Sequence, residues 1–188
     1  MTEPDATRPP GSFKAFLSLA LVAASLLGLL WVARRIVKGE APAAGVGTSV
    51  ASVRVRDAQG RVSALGDLRG KVVLVDVWAT WCGPCRAALP EIVKLQKAAD
   101  GRYAVVAISV DRGGFDDIRP FLEGAAGLHP ELAVEPVVPA DRSALAPFGE
   151  IRGIPTTFVL DREGRIVARW SGFQAGRPEL ELKKALDS

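Results

Sequence analysis

The segment Lys71-Val72-Val73-Leu74-Val75-Asp76-Val77-Trp78 is almost continuously apolar, and Cys82-Gly83-Pro84-Cys85 follows four residues after it. A run of this kind without alternation reads as a strand covered on both faces, as strands are inside an α/β sheet. Pro84 then opens a helix, in the first turn, where its missing N–H costs nothing. The only two cysteines of the chain therefore sit where a buried strand gives way to a helix. A helix N-terminus presents unpaired N–H groups and a positive dipole end, which favour the reactive thiolate. A second thiol one turn further on can attack a mixed disulfide and release its product. The pattern points to dithiol–disulfide exchange. A structural bridge across two residues would close almost no loop and stabilise little. A zinc site needs four ligands, and the chain adds only one histidine, His129.

The net charge of +3 belongs to the first 38 residues, where Arg8, Lys14, Arg34, Arg35 and Lys38 face only Glu3 and Asp5. The remainder balances at 19 basic and 19 acidic side chains, so its overall charge offers no electrostatic footprint for nucleic acid. Ala15 to Ala33 carries no charge over 19 residues, with Trp31 near one end. As a helix it would be about 28 Å long, close to the hydrocarbon thickness of a bilayer. Ala41-Pro42-Ala43 loosely resembles a signal-peptide cleavage site, but the run is long for such a peptide and Arg34, Arg35 and Lys38 intervene. The expected organisation is a disordered tail over 1–14, a transmembrane anchor with its basic flank over 15–38, a linker over 39–47 and one domain over 48–188. The flanking charges, three against two, lean toward a cytoplasmic domain.

Val50 to Arg56 alternates as a half-exposed strand, Asp57 to Gly60 turns, and Arg61 to Ala64 returns as its partner. A helix is expected from about Pro84 to Ala99 with a kink at Pro90. A buried strand follows over Tyr103 to Val110, then a helix over Phe115 to Glu123. Thr156 to Leu160 and Ile166 to Trp170 flank Asp161-Arg162-Glu163-Gly164 as a hairpin. Pro178 opens a terminal helix with Leu182 and Leu186 four apart. The expected class is α/β, a central mixed sheet with helices on both faces.

These segments resemble the thioredoxin superfamily, and more closely its membrane-anchored TlpA/ResA-like branch. The resemblance rests on Leu68-Arg69-Gly70-Lys71-Val72-Val73, on Asp76 through Arg86, on Leu89-Pro90, and on Arg152-Gly153-Ile154-Pro155-Thr156-Thr157-Phe158-Val159-Leu160-Asp161. It covers roughly residues 48–187. It implies a thioredoxin fold in which Cys82 is the exposed nucleophile, Cys85 the more buried resolving thiol, and Pro155 a cis proline beside them. Trp81, Gly83, Pro84, Ile154 and Pro155 would face the substrate, with the Ile154 backbone free to pair with an extended polypeptide. Asp76, a carboxylate in an apolar strand, should have a raised pKa and exchange a proton with Cys85. Two positions depart from the relatives. Ala88 stands where the branch commonly has a glutamate, and Ala107 where a lysine often accompanies the acid of ordinary thioredoxins. Trp78 packs near the dithiol or in plain core, Arg86 is a solvated helix charge, and His129 has no catalytic duty.

The function this implies is a membrane-anchored thiol–disulfide oxidoreductase that reduces protein disulfides, with no cofactor beyond its own dithiol and no metal. The resemblance further implies an inner-membrane protein whose domain faces the periplasm or its equivalent, against the lean of the flanking charges. It would act in cytochrome c maturation or extracytoplasmic redox homeostasis and be recharged by a membrane electron donor of the CcdA/DsbD type. The alternatives are a disulfide-forming oxidase, separated by its reduction potential, and a thioredoxin-fold chaperone or metal-delivery protein. Copper delivery would want more soft or imidazole ligands than this chain offers.

Overall fold

A computed structural model describes residues 24–25, 44–123 and 135–188. The chain divides into two compact units, Met1–Glu40 and Ala41–Ser188, and Ala24 and Ser25 are the described, helical residues of the first. No helix among the described residues is long and apolar enough to cross a membrane. The rest of the apolar run from 15 to 33, the basic flank and His129 lie outside the described residues.

The second unit is built on a seven-stranded sheet. The strands are β1 (Arg54–Arg56), β2 (Val62–Ala64), β3 (Val72–Trp78), β4 (Tyr103–Ser109), β5 (Pro136–Pro139), β6 (Thr156–Leu160) and β7 (Ile166–Ser171), in the spatial order β2-β1-β5-β4-β3-β6-β7. Helix α1 (Gly83–Lys97) joins β3 to β4, α2 (Phe115–Leu122) follows β4, and α3 (Arg177–Asp187) ends the chain. β3 pairs in parallel with β4 and antiparallel with β6, so the apolar run is an interior strand, and all seven of its residues are buried. The β6–β7 turn is tied by Asp161, whose Oδ1 accepts the N–H groups of Glu163 and Arg165 at 3.0 and 2.8 Å.

Alternation along β3 sorts the core. Val73, Val75 and Val77 pack with Val50, Val53, Leu65, Phe148 and Phe158 on one face. Val72 and Leu74 meet Ile92, Leu95, Trp170 and Leu182 on the other, and Trp78 continues that face toward Cys85, Leu89 and Phe121. The α-helices pack on this second face. Among the described residues the first is covered by loops and two 3₁₀ turns, Leu65–Leu68 and Ala146–Phe148, where the sequence suggested helices on both faces. The physical reason is in the connections: β3, β4 and β5 are parallel and successive in space, and right-handed crossovers then place their helices on the same side. Within the stretch read as linker, Ala44 is buried and Gly47 donates its N–H to the Ile166 carbonyl at 2.7 Å.

Candidate active site

Helix α1 begins immediately after Cys82, which is its N-cap. Cys85, Leu89, Ile92 and Val93 recur at helical spacing and bury one stripe against the sheet, while Lys94 and Lys97 occupy the last turn, where cations suit the dipole. Cys82 and Cys85 form a disulfide with Cα atoms 5.2 Å apart. The Cys85 N–H donates to Cys82 Sγ at 3.2 Å, so the helix terminus directs a backbone donor at the outer sulfur. In the reduced protein the same donor would stabilise a Cys82 thiolate.

The two sulfurs are not equally accessible. Cys85 is fully buried, and Cys82 retains 6% of its surface. The expectation of an exposed Cys82 is therefore corrected to a recessed edge in this oxidised state, because its Sγ lies 3.5 Å from the Ile154 carbonyl oxygen. The Ile154–Pro155 peptide is cis, as the resemblance implied. The turn carrying it is pinned by Thr156, whose hydroxyl donates to the Gly153 carbonyl at 2.6 Å and lies 2.9 Å from Ser171 Oγ. The Gly172 N–H donates to the Pro155 carbonyl at 2.8 Å. Among the described residues the Ile154 N–H makes no hydrogen bond, which leaves that backbone edge beside Cys82 open. Trp81 is 70% exposed at the rim, and Gly83 and Pro84 are exposed with it. Trp78 is fully buried beside both cysteines, its ring centroid 5.7 Å from that of Phe121. Arg86, read as a solvated charge, lies over the Phe121 ring at 5.7 Å.

Asp76 shares the face of β3 that carries Leu74 and Trp78, the face packed beneath α1. It is 1% exposed. Its register partners are Ala107 on β4 and Thr157 on β6, so neither neighbour supplies a cation. The Thr157 hydroxyl donates to Asp76 Oδ1 at 2.8 Å, while Oδ2 has no hydrogen-bond partner. Burial therefore dominates and pushes the Asp76 carboxyl up to about 6, the Thr157 hydrogen bond opposing it in part. Thr157 was not singled out from the sequence; only the strand register shows that it faces the acid. Ala88 is buried on α1 and adds no second carboxylate.

A second carboxylate holds the loop in front of the dithiol. Asp111 is 7% exposed, just beyond β4. Its Oδ2 accepts the Thr80 N–H at 3.0 Å and the Ser109 hydroxyl at 2.6 Å, and its Oδ1 accepts the Thr80 hydroxyl at 2.7 Å. Trp81 and Cys82 follow directly on this anchored residue. Nothing in the local pattern of Asp111-Arg112-Gly113-Gly114 distinguishes it from a turn aspartate. Among the described residues no group of three His, Cys, Asp or Glu side chains is placed to hold a metal ion.

A dithiol capping a helix, a cis proline against the outer sulfur and a buried acid on the adjoining strand define a thiol–disulfide oxidoreductase of the thioredoxin-like class. Residues 45–186 match the Redoxin family, and the chain belongs to it. It is 34% identical over 130 residues to the thioredoxin-like protein YneN of Bacillus subtilis, covering 68% of this chain and 72% of that protein. It is 28% identical over 142 residues to the thiol-disulfide oxidoreductase ResA of Bacillus thuringiensis, covering 74% and 78%. A crystal structure of a thioredoxin-family thiol:disulfide interchange protein from Chlorobium tepidum superposes with a TM-score of 0.60 at 27% identity, covering 76% of this chain and 98% of that one.

Asp76 holds its proton more tightly folded than unfolded, so its contribution to stability is present below about pH 4 and is lost as pH rises to about 6. In the oxidised protein, the stability of Asp76→Asn relative to the parent should therefore rise by about 2 kcal/mol between pH 4 and pH 7; a pH-independent difference in urea unfolding would contradict this. Asp111→Ala strands the Thr80 N–H and the Thr80 and Ser109 hydroxyls, and should cost about 3 kcal/mol in the same assay. A loss under about 0.5 kcal/mol, the range of ordinary surface substitutions, would mean that the clamp does not hold the loop.

Proposed function

We propose that this chain is a membrane-anchored reductase of protein disulfides, acting on the extracytoplasmic side. The observation that carries the reading is the open Ile154 backbone edge lying against Cys82, the outer sulfur of the pair. An extended polypeptide can add to such an edge as a strand does, and its disulfide then lies over Cys82. The Cys82 thiolate attacks one substrate sulfur, forming a mixed disulfide and expelling the other substrate sulfur as a thiolate, which takes a proton from solvent. Cys85 then gives up its proton to the Asp76 carboxylate and attacks Cys82 Sγ. The second substrate sulfur leaves as a thiolate and is protonated in turn. The substrate gains two electrons and the enzyme ends as the Cys82–Cys85 disulfide.

An acid of pKa about 6 is mostly ionised at neutral pH, and so able to take that proton, yet basic enough to hold it briefly. Return to the dithiol needs a two-electron donor, and a membrane dithiol carrier of the CcdA/DsbD type is the class that a domain tethered outside the cytoplasm could reach. The uncharged run from 15 to 33 supports the anchor. Resemblance to the TlpA/ResA-like branch supports exported proteins, apocytochrome c among them, as substrates.

The test uses the reduced full-length chain in detergent with a disulfide-bonded polypeptide. Cys85→Ser should accumulate a mixed disulfide through Cys82, visible by mass spectrometry. In protein that retains Cys85, Asp76→Ala should slow resolution of the mixed disulfide about tenfold at pH 7 and remove the fall in rate that the parent shows as pH drops through 6. Absence of a trapped species, or a resolution rate indifferent to Asp76, would refute the assignment.

A further inference from the structure

The space beside the dithiol extends well past Ile154. A cavity of about 480 Å³ opens against Trp81 and Ile154 and is walled by Val77, Val110, Leu145 and Ile151. Its charged lining residues are Arg142 and Arg152; no carboxylate lines it. Arg152 already pairs with Glu150 at 3.0 Å. Arg142, exposed on the far wall, makes no ion pair among the described residues. A second cavity of about 430 Å³ shares Val110, Leu145 and Arg142 with the first and carries the groove on to Arg56 and Arg112. Two acids, Asp111 and Asp141, also line this second stretch, each hydrogen-bonded to uncharged donors. Asp111 is held by Thr80 and Ser109, and Asp141 accepts the N–H and hydroxyl of Ser143 at 2.8 and 2.7 Å. A trough with apolar walls thus leads away from Cys82 to a far end where Arg56, Arg112 and Arg142 outnumber Asp111 and Asp141 by one charge.

We propose that this trough selects disulfide substrates in which an apolar side chain lies beside the reacting cysteine and carboxylate side chains follow a few residues along the same strand of peptide. The apolar side chain is buried between Trp81, Leu145 and Ile154, and the carboxylates meet Arg142 and Arg112. The proposal rests on the reading of the protein as a reductase of polypeptide disulfides, and adds the chemistry of the substrate. Arginine suits the role because its planar fork takes a carboxylate in a bidentate geometry and is less strongly hydrated than an ammonium.

The experiment compares two synthetic disulfide peptides, identical around an apolar residue beside the cysteine and carrying either three glutamates or three lysines beyond it. Rates of reduction by the reduced full-length chain in detergent are followed at low and high salt. At low salt the glutamate peptide should react roughly fivefold faster, and the ratio should fall toward one at 0.5 M salt, as exposed ion pairs do. Arg142→Glu should reverse the ratio and Arg112→Glu should reduce it; using the ratio within each variant cancels any general change in thiol reactivity. Equal rates for both peptides, or a ratio that survives both substitutions, would overturn the proposal and leave the reductase reading intact. If neither peptide reacts while a small aromatic disulfide does, the reductase reading fails and the proposal fails with it. If Arg142→Glu changes the sedimentation of the protein, the trough holds a second copy of the chain and the proposal is wrong.

Discussion

Burial of β3 on both faces is the constraint on which the rest depends. Its odd-numbered valines are locked into the loop-covered core and its even-numbered residues into the core beneath α1. A strand fixed on two sides leaves no freedom in where its end emerges, and α1 starts five residues beyond it. The position of the dithiol is therefore inherited from the centre of the sheet rather than from its own loop. The same burial desolvates Asp76, because alternation puts that residue on the helix-facing side with Ala107 and Thr157 as its neighbours in register. A lysine at 107 would offset the desolvation; alanine does not. One packing arrangement thus sets both the location of the sulfurs and the proton affinity of the group behind them.

The site is held from two further directions, each by hydrogen bonds that the sheet alone would not provide. Asp111 fastens Thr80 from the β4 side, and Thr156 with Gly172 fastens the Pro155 turn from the β6–β7 side. Both tie a loop to a neighbouring strand end, which suits a site that must present a sulfur and a backbone edge at a fixed separation. The outer sulfur is recessed because the Ile154–Pro155 turn closes on it, the Ile154 carbonyl oxygen 3.5 Å from Cys82 Sγ. Reaction therefore calls for a substrate that fits against this turn, and bulk exposure of a thiol is not how the chain gains reactivity.

Much of this was readable from the residues. The run from 71 to 78 announced an interior strand, the Gly-Pro pair a helix start, and Asp161 to Gly164 a hairpin, because each is a local pattern with a local cause. Asp76 stood out since a lone carboxylate in such a run is costly. β5 was missed: four residues bounded by Pro136 and Pro139 look like loop, and they become a strand only because β1 and β4 bracket them from distant parts of the chain. Thr157 and Asp111 were equally invisible, for the same reason. Their roles are set by register and by a contact 31 residues away, not by anything adjacent in sequence.

The central claim is that the dithiol is a reductant, and its equilibrium reduction potential tests that most directly. The full-length chain in detergent would be equilibrated with graded ratios of reduced and oxidised dithiothreitol or glutathione, and its redox state read from the fluorescence of Trp78 beside the sulfurs. The account predicts a value near that of thioredoxin, about −270 mV. A value near −120 mV, where the reduced form is the strongly favoured one, would contradict it and make the protein a donor of disulfides.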